Sequence, residues 1–340
     1  MFPDPDGLCA TGPEGRFVHE VVIPFVPPGQ PRPGSDGVAS PATGSSVRRR
    51  FPPGSEWLYA KLYTGTGTAD QLLDHVVGPL VRSSLDSGAA DAWFFVRYGD
   101  PDWHLRLRLH GEPGRLSAEV LPSLHAALTP LLETGQLWLV QLDTYEREVE
   151  RYGGARGVEL AEALFAADSE AVLAVLGALS GDAGLDLRWR LAMAGIDLLF
   201  EDFGLTLEER RTLARRQRES LGREFAVDGE FRGQVGRRYR AERARLEALL
   251  DPEQEPPASL ARGLGALHRR SLQVAPVVEE LQRLARAGRL STTMADLATS
   301  YAHMHANRLL RSAHRAQELV LYELLDRAYT ARAGRRAVVP

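Results

Sequence analysis

From Trp103 to His110 the sequence WHLRLRLH alternates apolar and basic side chains. Successive side chains on a strand point to opposite faces, so Trp103, Leu105, Leu107 and Leu109 share one face and His104, Arg106, Arg108 and His110 the other. Arginines two residues apart on a strand stand about 7 Å apart. That separation lets two guanidinium groups converge on one carboxylate or phosphate with bidentate hydrogen bonds. The competing reading is a solvated sheet face on which arginine is ordinary, and the very apolar hairpin around the strand weighs against it. A second stretch, DTYEREVERYGG from Asp143 to Gly154, holds four acids and two arginines where a strand ends, a common place for binding groups. Glu148 and Arg151, at i,i+3, can orient one another on a helical turn, although such pairs are more often solvated surface pairs. A third stretch, AHMHANR, sets His303 and Asn307 one turn apart on a helix. His303 has the intrinsic pKa for proton transfer near neutral pH, while a histidine among Ala and Met is more often a hydrogen-bonded core residue.

Other chemistries are poorly supported. His303 and His305 are badly disposed to share a metal on a helix, and neither HExxH nor a carboxylate cluster is nearby, so no zinc site is expected. YTGTGTAD lacks the Gly-Lys-Ser/Thr of a phosphate loop and no GxGxxG opens a βαβ unit, which argues against a nucleotide cofactor. GxSxG is absent.

The 340 residues are 25% charged and 44% hydrophobic with a formal charge of -4, a globular composition with no overall basic field for nucleic acid. Nearly all cationic side chains are arginine, and Lys61 is the only lysine. A GC-rich genome would produce the same habit, which by itself carries no functional meaning. The single cysteine, Cys9, allows neither a disulfide framework nor a cysteine metal cluster within one chain. No apolar run approaches the roughly 20 residues of a membrane span, and MFPDPDG lacks the regions of a signal peptide. The expectation is a cytoplasmic protein without membrane association.

The elements that must position these residues fall into three regions. Residues 1–26 read as a leader with a strand at Val18–Val26, residues 27–49 as a flexible Pro/Gly/Ser-rich linker, and residues 50–340 as the main domain. In its first part, strands are expected around Trp57–Tyr63, at AWFFVRY and WHLRLRL flanking the Gly99–Asp102 turn as a hairpin, and at QLWLVQLDTY from Gln136. Helices are expected over Thr68–Leu85, with Thr68 as cap, and over Ser117–Thr134. Beyond Gly153 and Gly154 the period is helical: Val158–Phe165, Ser169–Leu179, Leu187–Phe203, Thr206–Phe225, a charged surface helix at Arg237–Leu250, and one long last helix opened by a capping box at STTMAD and running through Tyr329. The fold class is therefore α+β, an antiparallel-rich sheet in the N-terminal half packed with a mostly helical C-terminal half.

The motifs PGSEWLYAKLY, WFFVRYGDPDWHLRLRL, YEREVERYGG, LFAADSEAVL and HMHANRLL, in this order over about Arg50 to Leu325, resemble the C-terminal elimination domain of class I lantibiotic dehydratases and its stand-alone relatives in thiopeptide biosynthesis. No glutamylation domain is recognised, so the chain looks like the detached half of a split dehydratase. The resemblance implies that a separate glutamylation protein, using glutamyl-tRNA, esterifies Ser or Thr of a precursor peptide, and that this domain removes glutamate to leave dehydroalanine or dehydrobutyrine. It implies no cofactor and no direct need for nucleic acid, and it leaves a homodimer open. Arg106, Arg108, Glu148, Arg151 and His303 match positions the family uses for elimination. The roles implied are proton transfer for His303, contacts to the glutamyl carboxylates for Arg108 and Arg151, binding or enolate stabilisation for Arg106, and support of the arginines for Glu148. Pyridine synthases of thiopeptide pathways, which join two dehydroalanines in a formal [4+2] cyclisation and expel the leader peptide, resemble the same fold. Retention of all five positions favours elimination over cyclisation. The same intact polar set argues against a subunit that only docks the precursor or its glutamylating partner.

Overall fold

Four apolar-rich segments build the main sheet, and the alternation of one of them, WHLRLRLH, sorts its leucines and its basic side chains onto opposite faces. In a computed structural model, which describes residues 10–12, 15–17, 47–179, 181–251, 254 and 257–336, the contacts divide the chain after Ser45. In the first unit, β1 (Ala10–Gly12) pairs antiparallel with β2 (Gly15–Phe17). The strand expected at Val18–Val26, and the linker expected at 27–49 up to residue 46, lie outside the described residues. In the second unit β3 (Arg50–Phe51) precedes β4 (Trp57–Tyr63), and a helical run follows as α1 (Ala69–Leu72), a π-turn and α2 (Gly78–Asp86). Thr68 precedes that run without the expected side-chain cap, because its own backbone is already helical.

The hairpin forms as expected from β5 (Ala92–Tyr98) and β6 (His104–His110). After it come α3 (Pro113–Arg115), a π-turn, α4 (Leu121–Glu133), β7 (Leu139–Leu142) and β8 (Tyr145–Glu146). The main sheet is antiparallel in the order β5-β6-β4-β7, while β3 and β8 form a separate two-stranded ribbon. Register sets Tyr59 beside Arg108, Lys61 beside Arg106 and Tyr63 beside His104. Leu105, Leu107 and Leu109 fill the opposite, core-facing side and are buried.

The C-terminal half is helical: α5 (Ala155–Ala178), α6 (Gly181–Asp202), α7 (Leu207–Glu224), α8 (Gly229–Leu250), α9 (Ala261–Arg286), α10 (Met294–Leu309) and α11 (His314–Arg336). The two helices expected between Val158 and Leu179 are one, since nothing between Phe165 and Ser169 breaks the backbone ladder. The expected surface helix is the second part of α8, and it buries Tyr239, Leu246 and Leu250. A capping box of Thr206 and Glu209 starts α7, and the Thr293 hydroxyl accepts from the Asp296 N–H to start α10. Gly195 on α6 lets α10 approach closely: a Cβ there would lie 2.1 Å from His305 Nε2. No helix among the described residues is long and apolar enough to cross a membrane.

Strand β5 is an edge strand, yet its outer backbone groups are satisfied by helix side chains. Ser169 Oγ accepts from the Phe95 N–H (3.2 Å), Asn307 Oδ1 accepts from the Arg97 N–H (2.9 Å) and Asn307 Nδ2 donates to the Arg97 carbonyl (2.8 Å). Arg308 Nε donates to the Phe95 carbonyl at 2.8 Å. These bonds seal the edge and fix α10 on the sheet.

The long last helix is the main departure from the sequence reading. It is two helices, α10 and α11, broken at residues 310–313 with Ala313 at φ +47°. Neither proline nor glycine marks the break; distant arginines make it. Arg97 Nε donates to the Arg308 carbonyl (2.8 Å) and Arg188 Nε to the Leu309 carbonyl (2.5 Å), taking up acceptors that the end of a helix leaves unpaired. Both guanidinium groups, with Arg311, converge on Asp70 of α1 at 2.6 Å each. Burial works against ionising Asp70, but Arg188, Arg97 and Arg311 outweigh it and hold the carboxyl well below the usual range.

Asp70→Ala should therefore cost about 3–5 kcal/mol, read as a lower denaturant midpoint, because it strands buried guanidinium groups. Breaking the exposed Arg115–Glu119 pair should leave the midpoint near wild type. The depressed carboxyl stabilises the fold fully above its unfolded pKa, near 4, and that contribution is lost as pH falls below it. Wild type should lose stability steeply in acid, and a chain lacking Asp70 less steeply.

Candidate active site

Arg108 is buried at the centre of the sheet face that alternation predicts to be basic. Its guanidinium carbon lies 4.4 Å from the centroid of Tyr59, 4.7 Å from Tyr145 and 5.1 Å from Phe94. Six arginines among the described residues are buried. Arg97 and Arg188 pair with Asp70, Arg190 with Asp186 and Glu242, and Arg270 and Arg308 with Asp168. Arg108 alone of the six has no carboxylate partner among the described residues, and its buried Nε has no hydrogen-bond acceptor. Burial pushes its pKa down, and Tyr145, Tyr59, Arg106 and Arg308 act on it less strongly. Aromatic faces offset part of the cost of a desolvated cation. An arriving anion would meet the remainder.

The neighbours on that face differ from expectation. His104 is buried between the rings of Tyr63 and Tyr98. Its Nδ1 sits 2.8 Å from the Asp102 carbonyl, and its Nε2 accepts from Arg106 Nε at 3.1 Å. Both bonds suit a neutral imidazole, and burial, aided by Arg106, lowers its pKa. His110 is engaged by Asp91 at 2.5 Å. Of the four side chains expected to await an anion, only Arg106 and Arg108 have neither a carboxylate nor a carbonyl partner among the described residues. Arg106 lies over the Tyr98 ring at 3.3 Å.

Glu148 and Arg151 stand on the turn after β8, and Arg151 Nη1 donates to Glu148 Oε2 at 3.0 Å. On the same turn Tyr152 is buried against Phe165 of α5 and Tyr301 of α10. Burial pushes its hydroxyl up to about 12, while Arg151, Arg308 and Arg108 work against the rise and Glu148 with it. One phenol thus feels arginines from β6, α10 and the turn, which brings Arg108, Arg151 and Glu148 into one neighbourhood.

His303 joins from α10. Its Nδ1 is 2.8 Å from Glu318 Oε2 on α11, and Glu318 is buried and close enough to act on Arg151. A buried carboxylate on one ring nitrogen orients the imidazole. Glu318 is not legible as His303's partner, for 15 residues on one straight helix are about 22 Å apart. Asn307, expected on the His303 face, turns instead to the edge of β5. The histidine that belongs to the core is His305, held by Asp168 at 2.7 Å. Among the described residues, no three His, Cys, Asp or Glu side chains gather as a metal centre.

The family model described as lantibiotic biosynthesis dehydratase C-term matches residues 57–329. This chain belongs to that family. Among curated proteins it is similar to the subtilin biosynthesis protein SpaB of Bacillus subtilis, 31% identical over 230 residues. That match takes in 66% of this chain and 21% of SpaB, so the chain spans about a fifth of that relative. Among solved structures it resembles MibB from Microbispora sp. 107891, a tRNA-dependent lantibiotic dehydratase, with 26% identity, a TM-score of 0.68 and coverage of 84% of this chain and 29% of MibB. It shares its fold with TbtD, a pyridine synthase from thiomuracin biosynthesis (TM-score 0.60, 16% identity, 83% of this chain, 100% of TbtD). In this dehydratase C-terminal domain, the caged Arg108 is a charge whose burial the described residues compensate only in part. Arg108→Met should leave the denaturation midpoint unchanged or raise it, whereas Arg308→Met, which breaks a pair with Asp168, should lower it.

Proposed function

We propose that residues 50–340 remove glutamate by β-elimination from glutamylated Ser or Thr of a ribosomal precursor peptide, giving dehydroalanine or dehydrobutyrine. The observation that supports this reading is the buried Arg108, without a carboxylate partner among the described residues and on the same strand face as Arg106, whose charge acts with that of Arg151 on Tyr152. His303 takes the Cα proton of the esterified residue through the nitrogen that Glu318 leaves available. The Cα–H electron pair becomes the Cα–Cβ double bond, the Cβ–O bond breaks, and glutamate departs as a carboxylate with the Cβ–O bonding pair. Glu318 holds the ring in the orientation this transfer needs. Arg108 and Arg151 receive the glutamyl carboxylates, Arg106 stabilises the enolate or binds the peptide, and Glu148 orients Arg151. The partners are the glutamylated peptide and a separate glutamylation protein that draws on glutamyl-tRNA, which sets the reaction in the cytoplasm.

The likeness in fold to TbtD supports a second reading, cyclisation of two dehydroalanines. Mixing the purified chain with a synthetic peptide bearing a glutamyl ester on serine, without tRNA, separates the two. Elimination predicts loss of glutamate by mass spectrometry; an intact ester, with turnover only of a bis-dehydroalanine peptide, would establish cyclisation instead. Arg108→Ala should slow elimination roughly tenfold to hundredfold, the equivalent of about 1.5–3 kcal/mol for a charge-assisted contact, and glutamylated peptide should accumulate. His303→Ala should slow turnover by a similar factor while peptide affinity stays within about twofold of wild type; lost affinity would make His303 a binding residue.

A further inference from the structure

Lys61 is the only lysine in a chain with 41 Lys and Arg residues, and the structure sets it on the same sheet face as the unpaired arginines. It stands opposite Arg106 on β6 and opposite Gln141 on β7. Its side chain is 17% exposed, and Nζ lies 2.5 Å from Asp143 Oδ2. The Tyr59 ring, 4.4 Å from the Arg108 guanidinium, is 5.9 Å from Lys61 Nζ. Asp143 follows Gln141 by two positions, and its N–H bonds to the Tyr59 carbonyl, so it borders this face beside the cationic row.

Asp143 keeps 36% of its side chain exposed, with Oδ1 accepting from the Thr144 N–H and Oδ2 facing Lys61. Partial burial opposes its ionisation, but Lys61, the Thr144 N–H and Arg106 together hold the carboxyl below its usual range. The other acids of the neighbourhood are engaged: Glu148 by Arg151 and Glu318 by His303.

A glutamyl group joined to a hydroxyl through its α-carboxyl carries a free α-ammonium besides its side-chain carboxylate. The arginines can meet the carboxylates, and no arginine can meet the ammonium. We propose that Asp143 receives the glutamyl α-ammonium and that Lys61 is the positioning residue which presents Asp143 to it. This inference rests on the elimination reading and adds the feature that tells a glutamyl ester from other acyl esters. It also gives a reason for lysine at position 61. A guanidinium there would clamp both Asp143 oxygens in a planar fork, whereas a compact ammonium binds one and leaves the remaining lone pairs for the ligand.

The test compares two ligands that differ only in that ammonium: a peptide with a glutamyl ester on serine, and the same peptide with a glutaryl ester. Elimination is followed by mass spectrometry. Affinity is followed by fluorescence anisotropy with the matching amides on diaminopropionate, which resist elimination. Wild type should prefer the glutamyl form at least about tenfold in both readouts, the worth of one charge-assisted contact. Asp143→Asn keeps the Thr144 bond and should bring the ratio close to one while glutaryl affinity stays within about twofold. Lys61→Arg should also shrink the ratio. A wild type without preference, or an Asp143→Asn variant that keeps it, overturns the inference. Failure of wild type to eliminate glutamate would instead overturn the elimination reading, and the amide affinities would still decide whether Asp143 reads the ammonium.

Discussion

A desolvated guanidinium without a counter-charge is the constraint around which the face of the sheet is built. Removing a cation from water is expensive, and the usual remedy in this molecule is a carboxylate, as Asp70 and Asp168 supply for four of the other buried arginines. At Arg108 the remedy is a cage of three aromatic rings, which is weaker than an ion pair and leaves the hydrogen-bonding capacity of the guanidinium partly unspent. Such a group binds an incoming carboxylate without first breaking an internal pair. The uncompensated part of that burial is borne by the stability of the fold.

The supporting charges are distributed so that no other arginine satisfies its need at the expense of that face. Asp70 gathers Arg97, Arg188 and Arg311 at the corner between the last two helices, and Asp168 gathers Arg270, Arg308 and His305 beside the edge strand β5. These clusters do mechanical work as well. By capping the carbonyls that end α10, Arg97 and Arg188 turn the chain into α11, and that turn brings Glu318 back to His303. The orientation of the imidazole thus depends on an aspartate in the first helix, far from it in sequence.

Tyr152 links the two halves of the site. Its ring is stacked on Tyr301 of α10, and its hydroxyl lies within the electrostatic reach of Arg108 from the sheet and Arg151 from the turn. Gly153 and Gly154, both at positive φ, follow it and let the chain reverse into α5 without moving that ring from its pocket.

The sequence by itself determined the elements whose signal is local. Period-two alternation produced β6 and placed Arg106 and Arg108 on one face; aromatic and β-branched content around the Gly-Asp-Pro-Asp turn closed the hairpin with β5; period 3.6 made the second half helical; and the capping box readable at STTMAD started a helix at Thr293 and Asp296. The pairing of Glu148 with Arg151 also followed from spacing alone. What only the tertiary structure decided has a common physical cause, namely that side chains from remote segments complete it. The break between α10 and α11 carries no local stop signal because its stops are Arg97 and Arg188. The lowered pKa of His104 comes from burial, aided by Arg106, and the isolation of Arg108 from any acid among the described residues is a property of the packed interior. Alternation could say that the face was basic; which of its cations stayed unpaired was settled only when the helices delivered their carboxylates elsewhere.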